Sequence, residues 1–369
     1  MDRIRIELLG IRQYRNYESL EIHLHNDFNI ITGLNGAGKT SILDAIYYLT
    51  NGKSYFSYQD QFLYLHGTSS FILKGKILSG DDKYDIDIKS AAGTKKKINV
   101  DDKSIESIIE YVGRFPSFMI APKDILILVE SSIERRKVMN RTLSQVDRTY
   151  FRFLLQYNKL LKQRNAALKR MREIGKRDDL LLESINSNMI EPANYIFQTR
   201  RQYVAKIGPL LQKYYETLSN GAEIVRVNYK SHLLDADMLG LLEQSADRDY
   251  YTTKTSKGIH KDDLEITIND VPIKKYASQG QLKSAIIALK LSQLLYVRNI
   301  TNKMPILLLD DIFDKLDTER VEKFIHICHD ELQAQVFITD TDENRVEERL
   351  KKLNIDYKGY HIKDGQLIL

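Results

Sequence analysis

The sequence predicts an α/β protein into which an all-helical segment is inserted, and three patterns lead to this fold class. Short apolar runs typical of strands occur in 4–121 and return in 224–339. Between about 131 and 218, apolar residues instead recur at helical spacing. A glycine-rich loop also joins one predicted strand to one predicted helix. We therefore expect a mixed sheet flanked by helices, an antiparallel meander and an inserted helical lobe.

The N-terminal part, residues 1–122, is expected to form one half of the α/β body. Its first three strands fall within 4–32, and the third leads directly into the glycine-rich loop. After the following helix, three apolar runs separated by short turns predict an antiparallel meander over 71–100, which would cover part of the site. A short helix at 105–112 and a short strand at 118–121 complete this part.

The glycine-rich loop has the pattern G-x-x-x-x-G-K-[ST] between a strand and a helix, which is the context of a phosphate-binding loop. Its glycines let successive N–H groups converge, and the helix behind them presents its positive end to an anion. Lys39 is expected to reach the β- and γ-phosphates and the Thr40 hydroxyl to hold Mg²⁺. The pattern predicts binding of a nucleoside triphosphate by Gly33, Leu34, Asn35, Gly36, Ala37, Gly38, Lys39, Thr40 and Ser41.

Residues 123–220 are expected to form the inserted helical lobe. One apolar stripe runs from Phe153 to Met171, is interrupted at 175–178 and then resumes. Pro192 and Pro209 are expected to start or kink helices, because proline cannot donate the backbone hydrogen bond that a helix interior requires. At roughly 90 residues, the segment is too short for a long coiled-coil rod.

The inserted lobe is also strongly basic. From Arg135 to Tyr215 there are 18 Lys/Arg and 6 Asp/Glu, a balance of +12, and since the whole chain carries +5 the remainder carries −7. Such asymmetry favours a basic arm that binds a polyanion, although a solvated helix face is the alternative. The candidate DNA-binding residues are Arg135, Arg136, Lys162, Arg164, Lys169 and Arg170.

Residues 221–369 are expected to complete the α/β body. Apolar runs and helical spacing alternate here, and a polar loop at 258–263 separates the first two strands. The predicted elements are strands at 224–229 and 264–268, a helix at 279–298, a buried strand at 306–309, a helix at 317–332, a strand at 336–339, and a final short helix and hairpin that turns at 363–365.

Two carboxylates, Asp310 and Asp311, directly follow the predicted buried strand. Ligands bind at the C-terminal ends of such strands in α/β sheets. Asp310 is expected to bind Mg²⁺ through water, as a Walker B carboxylate does, and Asp311 to orient or deprotonate the attacking water. Lys39 and Asp311 are therefore the candidate catalytic residues.

A second candidate anion site lies at Ser278-Gln279-Gly280-Gln281, just before the predicted helix at 279–298. A serine hydroxyl and a glycine N–H at a helix start can bind phosphate. The phosphate-binding loop and this segment would then supply the two halves of an ATP sandwich. If each chain closed its second site over the other chain's nucleotide, ATP would bridge two protomers.

The composition is that of a globular protein, with 43% apolar and 28% charged residues. No apolar stretch approaches the roughly 18 residues of a membrane helix, and the N-terminus does not have the pattern of a signal peptide. The single cysteine, Cys328, cannot form an internal disulfide and is expected in the core. We therefore expect a cytoplasmic protein without a membrane association.

The order of these motifs resembles the heads of SMC-like ABC ATPases, and within that group the RecF family of DNA-repair ATPases. The resemblance spans nearly the whole chain. It is carried by Tyr14-Arg15-Asn16-Tyr17, the phosphate-binding loop with 44–49, Arg135-Arg136, His260 to Asp263, Ala277 to Ser284, Leu308 to Asp311, and Asp314 to Asp317.

This resemblance implies an ABC-type P-loop ATPase head that uses ATP and Mg²⁺ and forms a homodimeric clamp on double-stranded or junction DNA. A weak, DNA-stimulated ATPase activity would act as a switch that opens the clamp. Ser278, Gly280 and Gln281 would act in trans across the dimer, and Asp317 would lie between the two active sites. The implied partners are RecR and RecO, and through them RecA and the single-strand-binding protein, in recombinational repair and replication-gap processing.

Two other functions share these motifs. The ATPase subunit of a membrane transporter would carry the same loop and signature, but the basic insertion, Asp311 in place of glutamate and the lack of a switch histidine at 339–341 argue against it. An SMC-type chromosome-structuring ATPase would need a longer arm. No glutamine occurs in 62–144, so the glutamine loop of ABC ATPases is not placed, and Gln59 and Gln61 are its nearest candidates.

Overall fold

Strands and helices alternate along the computed structural model, which describes residues 2–219, 221, 223–313 and 318–368. Most strands lie where apolar alternation predicts them. They are β1 Asp2–Tyr14, β2 Tyr17–His23, β3 Phe28–Thr32, β4 Ser70–Ser79, β5 Asp82–Ala91, β6 Lys97–Val100, β7 Lys103–Ser104, β8 Ser117–Ile120, β9 Val225–Lys230, β10 Asp263–Ile268, β11 Val271–Pro272, β12 Lys303–Met304, β13 Ile306–Asp310, β14 Val336–Asp340, β15 Tyr357–Lys363 and β16 Gln366–Ile368.

The predicted helices occur at approximately their predicted positions, but the short helices Met238–Gln244, Ala246–Thr252 and Ile273–Tyr276 were not predicted. The predicted helix at 317–332 is described from residue 318, where an α-helix is followed by a π-helical turn at Ile327–Leu332. The α-helices are α1 Lys39–Asn51, α2 Ile108–Tyr111, α3 Ile125–Val129, α4 Ser132–Val146, α5 Arg148–Ile174, α6 Asp179–Ser219, α7 Met238–Gln244, α8 Ala246–Thr252, α9 Ile273–Tyr276, α10 Gln279–Thr301, α11 Thr318–His326 and α12 Glu343–Lys352.

The chain divides into two compact units. Unit 1 comprises residues 1–124, 217–220 and 283–369, and unit 2 comprises 125–216 and 221–282. Unit 2 is therefore larger than the sequence boundaries of 123–220 suggest. The added residues include the antiparallel strands β9 and β10 and the helix α8, and buried ion pairs join Asp249 of α8 and Asp262, just before β10, to the helices of unit 2.

Unit 1 contains two sheets. The first has the strand order β12-β1-β4-β5-β6-β7, with β2 also paired to β1, and is antiparallel except for the parallel contact of β12 with β1. It includes the predicted meander. The second has the order β16-β15-β3-β14-β13-β8 and is parallel from β15 to β8. Strands β3, β13 and β14 are wholly buried, as a parallel sheet covered on both faces requires.

The parallel sheet determines where the site lies. Strands β3, β14 and β13 are adjacent and run in the same direction, so their C-terminal ends meet at one edge. The phosphate-binding loop follows β3, and the predicted Mg²⁺ carboxylate ends β13. Sequence segments about 270 residues apart are thereby brought together at the edge where α/β proteins bind ligands.

Unit 2 is built on helices and a small three-stranded sheet of order β11-β10-β9. A buried ion pair joins Arg164 of α5 to Asp249 of α8 at 2.7 Å, and a second joins Arg200 of α6 to Asp262 at 2.6 Å. Arg164 also donates to Asn186, which lies on α6. Because buried charges are costly unless they are paired, these contacts fix the helices in position.

Of the two alternatives expected for Pro192 and Pro209, that they start helices or kink them, the structure excludes the first. Both lie inside the single long helix α6. The apolar residues Ile196, Tyr203 and Ile207 on the same helix are fully buried. This packing favours a continuous helix and offsets the backbone hydrogen bonds that the two prolines cannot donate.

The single cysteine lies in the core, as the sequence predicts. Cys328 is fully buried, and burial raises the pKa of its thiol. None of the described helices combines the length and the apolar character needed to cross a bilayer.

Candidate functional site: a nucleotide cavity in unit 1

The phosphate-binding loop of unit 1 has a backbone that only glycine accommodates at two positions. Gly33 has φ 143° and Gly38 has φ 118°, in the left-handed region. A Cβ at Gly33 would lie 2.1 Å from the carbonyl oxygen of Ile362, and a Cβ at Gly38 would lie 2.6 Å from the hydroxyl of Tyr17. The loop is therefore held tightly by its neighbours, and Gly38 leaves the N-terminus of α1 without a side-chain cap.

Lys39 lies across this loop. Its ammonium group donates to the carbonyl oxygens of Gly33 at 2.6 Å and Leu34 at 3.0 Å. Burial lowers the pKa of Lys39, and the carboxylates of Asp311 and Asp310 oppose that shift. The side chain is thus anchored within the concavity where a β- or γ-phosphate would bind.

The side chain of Asp310, at the end of β13, is hydrogen-bonded to residues of α1 and β14. Its Oδ1 accepts hydrogen bonds from the hydroxyl of Thr40 at 2.8 Å and from the hydroxyl of Thr339 at 2.9 Å. Burial raises the pKa of Asp310, while these two hydrogen bonds and Lys39 lower it. Asp311 follows with a φ of 48°, and its backbone N–H donates to the Thr339 hydroxyl at 3.0 Å. The structure therefore brings together the predicted Mg²⁺ ligands and the predicted catalytic carboxylate.

These residues line an open cavity of about 600 Å³ that belongs to unit 1. Its volume is in the range of sites for small molecules and cofactors. Most of the predicted nucleotide-binding residues contribute to it, including Ser41. The lining residues are Arg15, Asn16, Asn35, Gly36, Gly38, Lys39, Thr40, Ser41, Phe62, Tyr64, His66, Asp310, Asp311 and Thr339.

Six of these lining residues were not among the predicted site residues. They are Arg15 and Asn16, which belong to the motif that carries the family resemblance, Phe62, Tyr64 and His66, which follow α1, and Thr339 of β14, which lies beside Asp310. Three of the six have aromatic rings. Gln59 and Gln61, the nearest glutamine candidates, are exposed and hydrogen-bond to each other at 2.8 Å.

Arg15 is held at the cavity by Asp44. Asp44 is fully buried on α1 and accepts from Arg15 at 2.6 Å and from the Tyr14 hydroxyl at 2.7 Å. It also accepts from the hydroxyl of Ser54 and the backbone N–H of Tyr55. Because the buried carboxylate of Asp44 is fully hydrogen-bonded, its position is fixed, and it fixes the position of the Arg15 guanidinium in turn.

The predicted second anion site forms a capping box at the start of α10, in unit 2. The hydroxyl of Ser278 accepts from the N–H of Gln281 at 3.2 Å, and the Gln281 side chain accepts from the N–H of Ser278 at 2.7 Å. Gln281 also donates to Glu223 at 2.6 Å. Gly280 lies within this first turn. Asp317, the remaining residue predicted to act in trans, lies outside the described residues.

The six candidate DNA-binding residues separate into three groups by their burial. Arg135 is buried and bound to Asp263 at 2.6 Å, and Arg164 is buried and bound to Asp249, so both hold unit 2 together and offer DNA no free donor. Arg136 is half-buried and donates to the backbone carbonyl of Asp262. The exposed members are Lys162, Lys169 and Arg170.

The donor atoms at Asp310 suit Mg²⁺. Thr40 and Asp310 are oxygen donors, and Mg²⁺ in nucleotide sites typically binds one or two carboxylates together with phosphate oxygens. Among the described residues there is no cluster of three or more His, Cys, Asp or Glu that would hold a metal ion by itself. The arrangement therefore fits a metal that shares its ligands with a bound nucleotide.

Comparisons with known proteins agree with this geometry. The family model described as the RecF/RecN/SMC N-terminal domain matches residues 5–361. A solved structure of the recombination mediator protein RecF with ATP, from the RecFOR pathway, is 29% identical, has a TM-score of 0.88 and covers 99% of this chain and 97% of its own. The Smc head of Pyrococcus furiosus is 15% identical with a TM-score of 0.57, with 99% and 96% of the two chains covered, and shows the shared fold alone.

Curated relatives are similar over nearly the full length. The DNA replication and repair protein RecF of Cytophaga hutchinsonii is 36% identical over 98% of this chain and 96% of its own. That of Flavobacterium johnsoniae is also 36% identical, over 97% of this chain and 100% of its own. The fold, the nucleotide cavity and these relatives together show that the chain belongs to the RecF family of DNA replication and repair ATPases.

Proposed function

We propose that this protein is an ATP-driven switch that binds DNA in one nucleotide state and releases it in another. The observation that carries the proposal is the convergence of Lys39, Thr40, Asp310 and Asp311 in one cavity of unit 1. A phosphate-binding loop next to two carboxylates can bind ATP with Mg²⁺ and hydrolyse it. Hydrolysis is expected to be slow, because the proposed task is switching.

Each residue at the phosphate end has a separate task. Lys39 neutralises the β- and γ-phosphates, and the N–H groups at the start of α1 bind their oxygens. Mg²⁺ would be held by Thr40 and Asp310 and would offset the charge of the phosphates. Asp311 orients the attacking water and accepts its proton, and the left-handed backbone at this residue directs its carboxylate into the cavity.

The aromatic residues of the cavity suit the nucleoside. Phe62, Tyr64 and His66 supply rings on which a purine can stack, and Arg15 lines the same cavity. Phe62 is 69% exposed, so a large apolar ring is available to a ligand. We therefore place the base of ATP against these rings and its phosphates at the loop.

The switch is proposed to operate through a homodimer. The capped N-terminus of α10, with Ser278, Gly280 and Gln281, would bind the γ-phosphate of the partner's ATP, and the ATP-bound dimer would enclose double-stranded or junction DNA. Hydrolysis then removes the bridging phosphate and opens the dimer. The solved RecF structure belongs to the RecFOR pathway, and we propose the corresponding partners here, RecR and RecO, acting in the cytoplasm before RecA is loaded.

The decisive experiment measures duplex-DNA affinity with ATP, with ADP and without nucleotide, and records molecular mass by light scattering in the same samples. The wild type is expected to bind DNA as a dimer with ATP alone. Asp311→Asn should prolong that state and Lys39→Ala should prevent it. A chain that stays monomeric, or whose DNA affinity ignores the nucleotide, would refute the switch.

A further inference from the structure

We propose that the solvent face of helix α5, in unit 2, is the surface that binds the phosphate backbone of double-stranded DNA. The inference rests on the proposed function and assigns its DNA contact to one helix face. Seven of the eight Lys/Arg of α5 are exposed, and its only acidic residue is Glu173. The eighth cation is Arg164, which is buried against Asp249.

The basic character of the inserted lobe is concentrated on this helix. The first half of α6, residues 179–199, contains three exposed acidic residues and no Lys or Arg. With eight Lys/Arg and one Glu, α5 alone supplies +7 of the +12 excess between Arg135 and Tyr215. Segregated charge of this kind steers a polyanion to one side of a protein.

The cations on α5 are available to a ligand. Lys159, Lys162 and Arg170 are exposed, and no carboxylate among the described residues lies within ion-pair distance of them. Lys169 has only a weak contact with Glu173 at 3.9 Å. Arg148 and Arg152 lie in the first two turns of α5, and Arg172 near its end is directed toward the rings of Tyr250 and Tyr251. In the remainder of the helix, Lys159, Lys162 and Arg170 are the principal phosphate ligands.

These three side chains form a stripe. At about 100° per residue, Lys159, Lys162 and Arg170 fall within about 80° of one another around the helix axis. Lys159 and Arg170 are separated by about 16 Å along the axis, which corresponds to about five base pairs of one DNA strand at about 3.4 Å each. Lys159 and Lys162 are also a like-charge pair at i,i+3, a spacing that destabilises a helix unless an anion compensates.

The composition of the stripe favours DNA over a protein partner. Between the three cations, the other exposed side chains are Gln163, Ala166 and Lys169. A protein interface would require an apolar or aromatic centre, and this face has none between Lys159 and Arg170 among the described residues. Phosphate contacts require only cations and polar groups, and they confer no sequence preference.

The test compares Lys162→Gln/Arg170→Gln on α5 with Arg201→Gln/Lys206→Gln on α6. Both doubles remove one lysine and one arginine that are exposed, so the change in net charge is the same. Binding of a short fluorescent duplex is followed by anisotropy with ATP between about 50 and 200 mM salt. Fluorescent-nucleotide binding and circular dichroism verify that both variants fold.

The α5 double is expected to bind DNA about tenfold or more weakly and to reduce the slope of log affinity against log salt by about 2. The α6 double should behave as the wild type. An equal loss of DNA affinity in both double variants, or no loss in either, would show that the α5 face is not the DNA-binding surface. The proposed ATP-driven DNA switch would still stand in that case. If the wild type binds no duplex DNA in any nucleotide state, both proposals are wrong. In a competition assay, poly-glutamate that displaces the α5-bound duplex as effectively as unlabelled duplex DNA would indicate that the partner is an acidic protein instead.

Discussion

The hydroxyl of Thr40 lies 2.8 Å from Oδ1 of Asp310 and donates a hydrogen bond to it. Thr40 follows the phosphate-binding loop and Asp310 ends β13, so this bond joins the two motifs of the nucleotide site. Thr339 donates to the same oxygen at 2.9 Å and accepts from the N–H of Asp311 at 3.0 Å. Thr339 therefore positions both carboxylates at once.

Thr339→Val should lower the ATP hydrolysis rate by about tenfold or more while changing nucleotide affinity little. Valine has the shape of threonine but neither donates to Asp310 nor accepts from Asp311, and each lost hydrogen bond is worth about 1 kcal/mol. Thr339→Ser keeps the hydroxyl and is the matched control, with near wild-type turnover. Phosphate release and nucleotide binding are measured separately. Slow turnover in Thr339→Ser would show that the methyl group of Thr339, and not its hydroxyl alone, is needed for the wild-type hydrolysis rate.

Lys39→Ala should weaken ATP binding by at least about tenfold, because charge-assisted hydrogen bonds contribute about 1.5–3 kcal/mol each. Isothermal titration with ATP measures the effect. Lys97→Ala removes an exposed lysine of β6 and serves as the control for net charge. Equal affinities in the two variants would show that Lys39 does not contact the nucleotide.

Asp311→Asn should retain ATP binding and lower turnover by about a hundredfold or more, since a general base contributes about 10²–10⁴ to a rate. Asparagine tolerates the left-handed backbone that this position requires, so the substitution tests the carboxylate rather than the fold. Asp364→Asn changes an exposed aspartate with φ 49° and is the control. Wild-type turnover in Asp311→Asn would exclude a role as base.

Asp44→Asn should destabilise unit 1 by about 3 kcal/mol, because it leaves the Arg15 guanidinium without its buried counter-charge. Urea unfolding measures the change. The control is Asp27→Asn, which breaks the partly exposed pair with Arg3 and should cost about 1 kcal/mol or less. Similar losses in both variants would mean that Asp44 is held by packing rather than by charge.

The sequence predicts the phosphate end of the cavity because its signals are local. The spacing from Gly33 to Thr40 specifies loop and helix, and the apolar run before Asp310 specifies a buried parallel strand. Strands of that kind end at a common edge, so the approach of Thr40 to Asp310 follows from fold class. No comparable sequence motif specifies the part of the cavity that Phe62, Tyr64 and His66 line, so these three residues were not predicted.

Burial of charged residues was the main feature that the sequence did not indicate. Arg135 and Arg164 look like surface cations because their partners, Asp263 and Asp249, lie 128 and 85 residues further along the chain. Helical periodicity cannot identify a partner at that separation. Arg164 lies at helical spacing from the buried residues Tyr157, Leu168 and Met171, so the apolar stripe of α5 already places it on the inner face of the helix, and only its partner requires the tertiary structure.

Unit 2 contains a half-buried histidine, His260, that should make the stability of this unit depend on pH. His260 Nε2 donates to the carbonyl oxygen of Thr255 at 2.9 Å, so its Nδ1 is unprotonated and accepts from the Tyr157 hydroxyl at 2.9 Å. Burial lowers the pKa of His260 to about 4, with Lys261 and Arg136 lowering it further and the Thr255 hydrogen bond and Asp249 opposing. The unfolded chain, with a histidine pKa of about 6.5, therefore binds the proton first.

Stability should be complete above about pH 6.5 and should fall as the pH decreases toward 4, by about 3 kcal/mol at most. Aspartates that titrate in the same range also contribute, so the comparison is with His260→Gln, which keeps a polar side chain but does not titrate. Urea-dependent hydrogen exchange of α5 peptides between about pH 7 and 4.5 reports on unit 2. The wild type should lose more stability than the glutamine variant over this interval. Parallel pH curves would show that His260 is protonated in the folded protein as readily as in the unfolded chain, and that its burial does not determine its charge.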